Sequence, residues 1–199
     1  MPARRRLVAA TNNRDKLREI RCILNGCGWE LLDLSRFPSY PEPSESGLTL
    51  TENALFKARV GFIRTGEITL ADDTGLEVDA LNGEPGVISA RYAGENVTYR
   101  DNVALLLREL RNVPESRRAA RFRCVMALVG PGMEQIWEGV AEGTILSEPR
   151  GENGFGYDPV FWSPELQKTF AEADPEEKNQ VSHRARALAS LKGVLLRLK

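Results

Sequence analysis

The acids at 70–79, "LADDTGLEVD", are a first group of residues capable of chemistry. Asp72 and Asp73 are adjacent at the end of an apolar run, where two negative charges repel each other. Asp is a good turn former, so one reading is a solvated turn. The other is a hard-cation site. Mg²⁺ takes a few carboxylates together with waters and substrate phosphates, it neutralises the pair, and it leaves a carboxylate to orient or deprotonate water.

A second group is "TNNRDK", comprising Thr11, Asn12, Asn13, Arg14, Asp15 and Lys16. It joins a short apolar strand to a helix, and backbone N–H groups at a helix N-terminus suit a phosphate. Arg14 and Lys16 fall in the first turn, where the macrodipole disfavours cations, and a bound anion would account for that placement. The plain alternative is an Asn-capped surface helix with solvated charges. Lys57, mid-helix between Phe56 and Ala58, is either a snorkelling surface lysine or a second cation for the same anion.

The third group lies towards the C-terminus. "GENGFGYDP" (151–159) is Gly-rich, but its spacing is not that of a dinucleotide-binding loop. Phe155 and Tyr157 can stack on a base or plug a core, and Asp158 can accept from a base N–H or start the turn before Pro159. The single histidine, His183, precedes Arg184 at a helix start with Lys178 upstream, a set of donors suited to an electron-rich ligand.

Hydrophobic periodicity supplies the elements that must carry these groups. "RRLVAA" reads as a strand, and Leu17, Ile20 and Leu24 give the next segment a helical face. "PSYPEPSESG" (38–47) is a loop. Thr49 and Glu52 make a capping box for a helix that buries Leu50, Ala54, Ala58 and Phe62 and stops at Gly66. "ITLA" and "LEVDAL" read as two strands with "DDTG" as the turn between them. Thr98 and Asp101 cap a helix with the stripe Val103, Leu106, Leu107 and Leu110. "RFRCVMALVG" and "EQIWEGVAEGTIL" flank a "PGM" turn as a hairpin. Ser182 caps a last helix burying Leu188, Leu191 and Leu195. Interleaved helices and strands with an antiparallel hairpin predict an α/β fold on a mixed sheet, in one domain spanning 1–199.

Composition narrows the function classes. The 199 residues are 42% hydrophobic and 28% charged, ordinary for a folded domain. Lys and Arg (27) nearly balance Asp and Glu (28), so no global field recruits nucleic acid or an anionic membrane. An anionic ligand needs a local cluster of cations instead. The apolar run after "MPARRR" is too short for a signal-peptide core, and no segment has the ~20 apolar residues a membrane helix needs. The three cysteines have no metal-ligand spacing and read as reduced thiols of a cytoplasmic protein.

Five blocks, "TNNRDK", "TENALFKAR", "ADDTGLEVDALNGEPGVISARYAG", "GFGYDPVF" and "EEKNQVSHRARAL", occur in this order. They resemble the inosine/xanthosine triphosphate pyrophosphatase family over nearly the whole chain. The resemblance implies a twisted mixed sheet flanked by helices, with two lobes around a central cleft, in a homodimer. It implies Mg²⁺-assisted hydrolysis of ITP, dITP and XTP to the monophosphate and pyrophosphate. Thr11, Asn13, Lys16 and Lys57 would hold the triphosphate. Asp73 would be the metal-linked acid that takes a proton from water, with Asp72 beside it and Glu45 as a further ligand, Glu42 being close by. Thr74 would touch substrate, and Phe155, Gly156, Tyr157, Asp158, Lys178, His183 and Arg184 would surround the nucleoside. Asn12 stands where the family often has glycine. Donors at His183 and Arg184 would pair with a purine 6-oxo group and oppose the 6-amino group of adenine. The alternatives are a pyrophosphatase of similar fold for other modified nucleotides and a non-catalytic nucleotide-binding regulator.

Overall fold

The computed structural model describes residues 5–37 and 47–198. Its strands form one eight-stranded mixed sheet, as the interleaved pattern predicts. The strands are β1 (Arg5–Ala9), β2 (Trp29–Asp33), β3 (Thr69–Val78), β4 (Pro85–Gly86), β5 (Ala119–Gly130), β6 (Met133–Ile145), β7 (Phe161–Ser163) and β8 (Lys168–Thr169). They are ordered β2-β1-β3-β5-β6-β7-β8, with β4 paired to β3. The helices are α1 (Arg14–Ile23), α2 (Leu50–Thr65), α3 (Tyr99–Glu109), α4 (Pro175–Val181) and α5 (His183–Arg197). Among the described residues no helix is long and apolar enough to cross a membrane.

The chain divides into two compact units, and β3, β5 and β6 contribute residues to both. The first takes in the described residues up to Asp73, Cys124–Gly139, and the chain from Arg184 on. Here β1 pairs in parallel with β2 and β3, Leu7 facing Leu31 and Val8 facing Thr69. A parallel strand covered on both sides needs a continuous apolar run, and Leu7, Val8 and Ala9 are all buried. Leu188, Leu191 and Leu195 bring one face of α5 onto Leu7, Leu70, Met126 and Leu128. Each is fully buried and contributes about 1.5–3 kcal/mol. Helix α2 begins at the expected Thr49–Glu52 capping box and ends at Gly66, whose φ of 70° is left-handed.

The second unit is Thr74–Arg123 with Val140–His183. Its core joins Val103, Leu106 and Leu110 of α3 to Leu76, Phe122, Ile145, Phe161 and Phe170. The Thr98–Asp101 capping box starts α3 as expected.

Three features differ from the sequence reading. "DDTG" is not a turn: β3 runs unbroken through it. Gly75 serves a close approach instead, because a Cβ there would lie 2.5 Å from the Gly86 carbonyl oxygen. Helix α4 was not expected, although Asp174, Pro175 and Glu177 spell a capped N-terminus and form a capping box. The edge strand β2, only partly buried, lacks the alternation that marks a strand.

Candidate active site

Strand geometry separates the two acids. Successive side chains of a strand project to opposite faces, so Asp72 and Asp73 diverge and make their ion pairs with different residues. Asp72 Oδ2 lies 3.1 Å from Lys16 Nζ and accepts from Arg184 Nη2 at 2.9 Å. Asp73 Oδ1 accepts from Lys57 Nζ at 3.0 Å, and its Oδ2 accepts from Asn53 Nδ2 at 3.0 Å. The repulsion that the sequence raised is therefore answered by protein cations, and a metal ion is not needed to explain the pair.

Electrostatics follow from that packing. Burial alone would raise the Asp72 carboxyl, but Lys16, Arg184 and Lys57 together outweigh it and hold the group well below the usual carboxylate range. Burial likewise opposes charge on Arg184, yet Asp72 and Glu19 keep its guanidinium more firmly protonated than usual. Lys57 is buried with Asp73 rather than snorkelling to solvent.

Around α1 the sequence-predicted phosphate residues separate into several roles. Asn13 caps the helix, its Oδ1 accepting from Asp15 N at 3.0 Å and Lys16 N at 3.1 Å. Two of the N–H groups expected to receive a phosphate are thus taken by the cap. The Thr11 hydroxyl accepts from Asn13 N at 3.1 Å, and Asp15 pairs with Arg18. Asn12 and Arg14 are exposed. Thr11, Asn12, Arg14, Arg18 and Arg21 line a cavity of about 680 Å³ within the first unit. That volume lies in the range of small-molecule sites, ~300–1,000 Å³. Glu45 and Glu42 lie outside the described residues.

In the second unit Lys178 and Asp158 form a buried ion pair, and the Asp158 carboxylate also accepts from Phe155 N at 2.8 Å. Lys178 Nζ sits 4.8 Å from the centroid of the Phe155 ring, which is half-buried beside Tyr99. Gly156 takes φ 63°, which glycine adopts without strain. His183 is buried and stacks on Phe122, with ring centroids 4.6 Å apart. Thr74 is half-buried and follows Asp73 in β3.

Two of the predicted nucleoside residues have partners inside the protein. Tyr157 belongs to the hydrophobic core, and its hydroxyl donates to the Ser89 carbonyl at 2.9 Å. Arg184 is fully buried and its fork donates to Asp72 and Glu19.

Sequence reasoning missed Glu19 and Asn53. Both had a legible signal: Glu19 follows Lys16 at i+3 on α1, and Asn53 precedes Lys57 at i−4 on α2, so each shares a helix face with a candidate cation.

Comparison with known proteins identifies the lineage. The Ham1 family model matches residues 7–194. The chain belongs to the Ham1 family. A dITP/XTP pyrophosphatase of Geobacter sulfurreducens is 54% identical over 188 residues, covering 94% of each chain. That of Desulforamulus reducens is 50% identical over 194 residues, covering 97% of this chain and 96% of its own. Among solved structures, a HAM1 protein from Coxiella burnetii matches with TM-score 0.88 and 44% identity over 97% of this chain and 99% of its own. A nucleoside-triphosphatase / dITP/XTP pyrophosphatase from Mycobacterium abscessus matches with TM-score 0.74 and 46% identity, covering 94% and 98%. The Ham1 assignment thus spans both units.

Proposed function

We propose that this chain is a pyrophosphatase that hydrolyses non-standard purine nucleoside triphosphates, ITP, dITP and XTP, to the monophosphate and pyrophosphate, clearing them from the nucleotide pool. The observation that carries the reading is the pair of buried, cation-braced carboxylates at Asp72 and Asp73 in a chain of the Ham1 family.

Asp73 is the acid that takes the proton. Its two oxygens accept from Asn53 and Lys57, which keeps the carboxylate oriented as a proton acceptor for a water. The water oxygen bonds to the α-phosphorus, the bond from that phosphorus to the bridging oxygen breaks, and pyrophosphate departs with the electron pair. Lys16 and Lys57 bring two ammonium charges to the acids at Asp72 and Asp73. They offset the charge that builds on the leaving group. Thr11, Asn12, Asn13, Arg14 and Asp15 frame the triphosphate, and Thr74, Phe155, Gly156, Asp158, Lys178 and His183 contact the nucleoside. Asp72, with its charge already compensated, serves by holding Lys16 and Arg184.

The donor set fits Mg²⁺ in chemistry. No group of three His, Cys, Asp or Glu side chains suited to a metal occurs among the described residues, but Mg²⁺ is usually held by one or two carboxylates with waters and substrate phosphates. Asp73 would hold it, with Asp72 beside it and Glu45 as a further ligand. Bound there, it would supply charge neutralisation of the phosphate oxygens. The family resemblance further supports a homodimer acting in the cytoplasm, which light scattering at working concentration checks.

The test is a pyrophosphate-release assay with Mg²⁺ across dITP, XTP, GTP and ATP. Preferential release from dITP and XTP is the expected result. Equal release from all four, or none, refutes the reading.

A further inference from the structure

We propose that Asn53 is a positioning residue that holds the Asp73 carboxylate in one orientation and ties it to the chain at Gly47. The inference rests on the pyrophosphatase reading and extends it to a residue with no assigned role.

Asn53 is a polar side chain only 1% exposed, and its amide is used at both ends. The Nδ2 donates to Asp73 Oδ2 at 3.0 Å, and the Oδ1 accepts from Gly47 N at 2.8 Å. Four residues on along α2, Lys57 donates to the other Asp73 oxygen at 3.0 Å. An i, i+4 pair on one helix face therefore grips both oxygens of a single carboxylate. The second contact fixes the plane of the carboxylate and thereby the directions of its remaining lone pairs. A base must present a lone pair along the line of the proton it accepts, so this orientation sets the rate without touching the nucleotide.

The Gly47 bond makes the tie specific. A Cβ on Gly47 would lie 2.6 Å from Asn53 Oδ1, so only glycine allows the backbone to approach the amide this closely. In sequence, Gly47 stands two residues beyond Glu45. One amide thus couples the proton acceptor to the end of the Pro-rich segment, a tie that an apolar residue at position 53 cannot make.

The experiment compares wild type, Asn53→Ala and Asn53→Asp by steady-state kinetics on dITP, thermal melting and amide hydrogen exchange at Gly47. Asn53→Ala removes both bonds. Asn53→Asp keeps the shape and the acceptor for Gly47 N but replaces the donor to Asp73 with a second carboxylate oxygen. In both variants kcat should fall about 10- to 100-fold with KM within about twofold, the size expected for misplacing a reacting group by ~1 Å. Protection of the Gly47 amide should be lost in Asn53→Ala and retained in Asn53→Asp. An unchanged kcat in either variant overturns the proposal, as does a loss shared equally by kcat and KM. If both variants lose the native circular dichroism, Asn53 is a fold determinant and the proposal falls. A wild type that releases no pyrophosphate refutes the pyrophosphatase reading itself, and the inference falls with it.

Discussion

Replacing Arg184 with methionine removes the centre of a buried charge cluster at nearly constant side-chain length. Arg184 is fully buried and donates to Asp72 Oδ2 at 2.9 Å and to Glu19, itself 8% exposed. In the variant Asp72 keeps Lys16 at 3.1 Å, and the buried Glu19 carboxylate loses the guanidinium charge beside it. Removing one partner of a buried ion pair costs about 3–5 kcal/mol, because the desolvated charge left behind is uncompensated. For a chain of this size each 1 kcal/mol shifts the melting temperature by about 2–4 °C, so Tm should fall by roughly 6–20 °C. Glu19→Gln made in the Arg184→Met background removes the negative charge at that position, and the two changes should be non-additive by about 0.5–3 kcal/mol. Differential scanning fluorimetry on the four proteins of this cycle gives the stability readout. The ratio of kcat/KM for ITP over ATP gives the other, and it should hold in whatever activity survives. If Tm stays within about 2 °C while that ratio falls tenfold, a loss of about 1.4 kcal/mol of discrimination, the guanidinium reads the base and the account of it as a brace is wrong.

Asp73→Asn should lower pyrophosphate release about 10²- to 10⁴-fold, the usual worth of a positioned base. It should also lower Tm, because Lys57 is 4% exposed and would lose its carboxylate; unchanged turnover refutes the assignment. Lys16→Ala should raise KM for dITP roughly ten- to hundredfold, matching about 1.5–3 kcal/mol for a charged hydrogen bond, and leave the dITP-to-dGTP ratio alone. A changed ratio in that variant removes Lys16 from the phosphate contacts. Tyr157→Phe deletes the hydrogen bond to the Ser89 carbonyl at a cost of about 0.5–1.5 kcal/mol. Its kcat/KM should stay within about twofold of wild type; a larger loss would return Tyr157 to the substrate site.

Local signals in the sequence were enough for much of the framework. The capping boxes at Thr49 and Thr98, the left-handed stop at Gly66 and the leucine stripe of α5 depend on neighbours within one helical turn or on one face. Such features are written in short windows, and the structure has them where the spacing predicts. The ordered motif blocks likewise carried the family, because residue types in sequence are what a family shares. What a charged side chain meets across the fold is a different kind of fact. "DDTG" has the composition of a turn, yet it lies within β3, an interior strand between β1 and β5, where burial and the close approach at Gly75 outweigh local turn preference. Arg184 shows only its donors in sequence, and nothing local tells that residues 112 and 165 positions away, Asp72 and Glu19, are folded onto its fork. Asn53 looks like an ordinary helix residue until Asp73 and Gly47 arrive at its two ends. Desolvation makes those long-range partners obligatory, because a buried charge or amide must be matched wherever the chain supplies a match. The sequence therefore determined which groups are present and on which helix faces, and tertiary packing decided which of them are spent on one another.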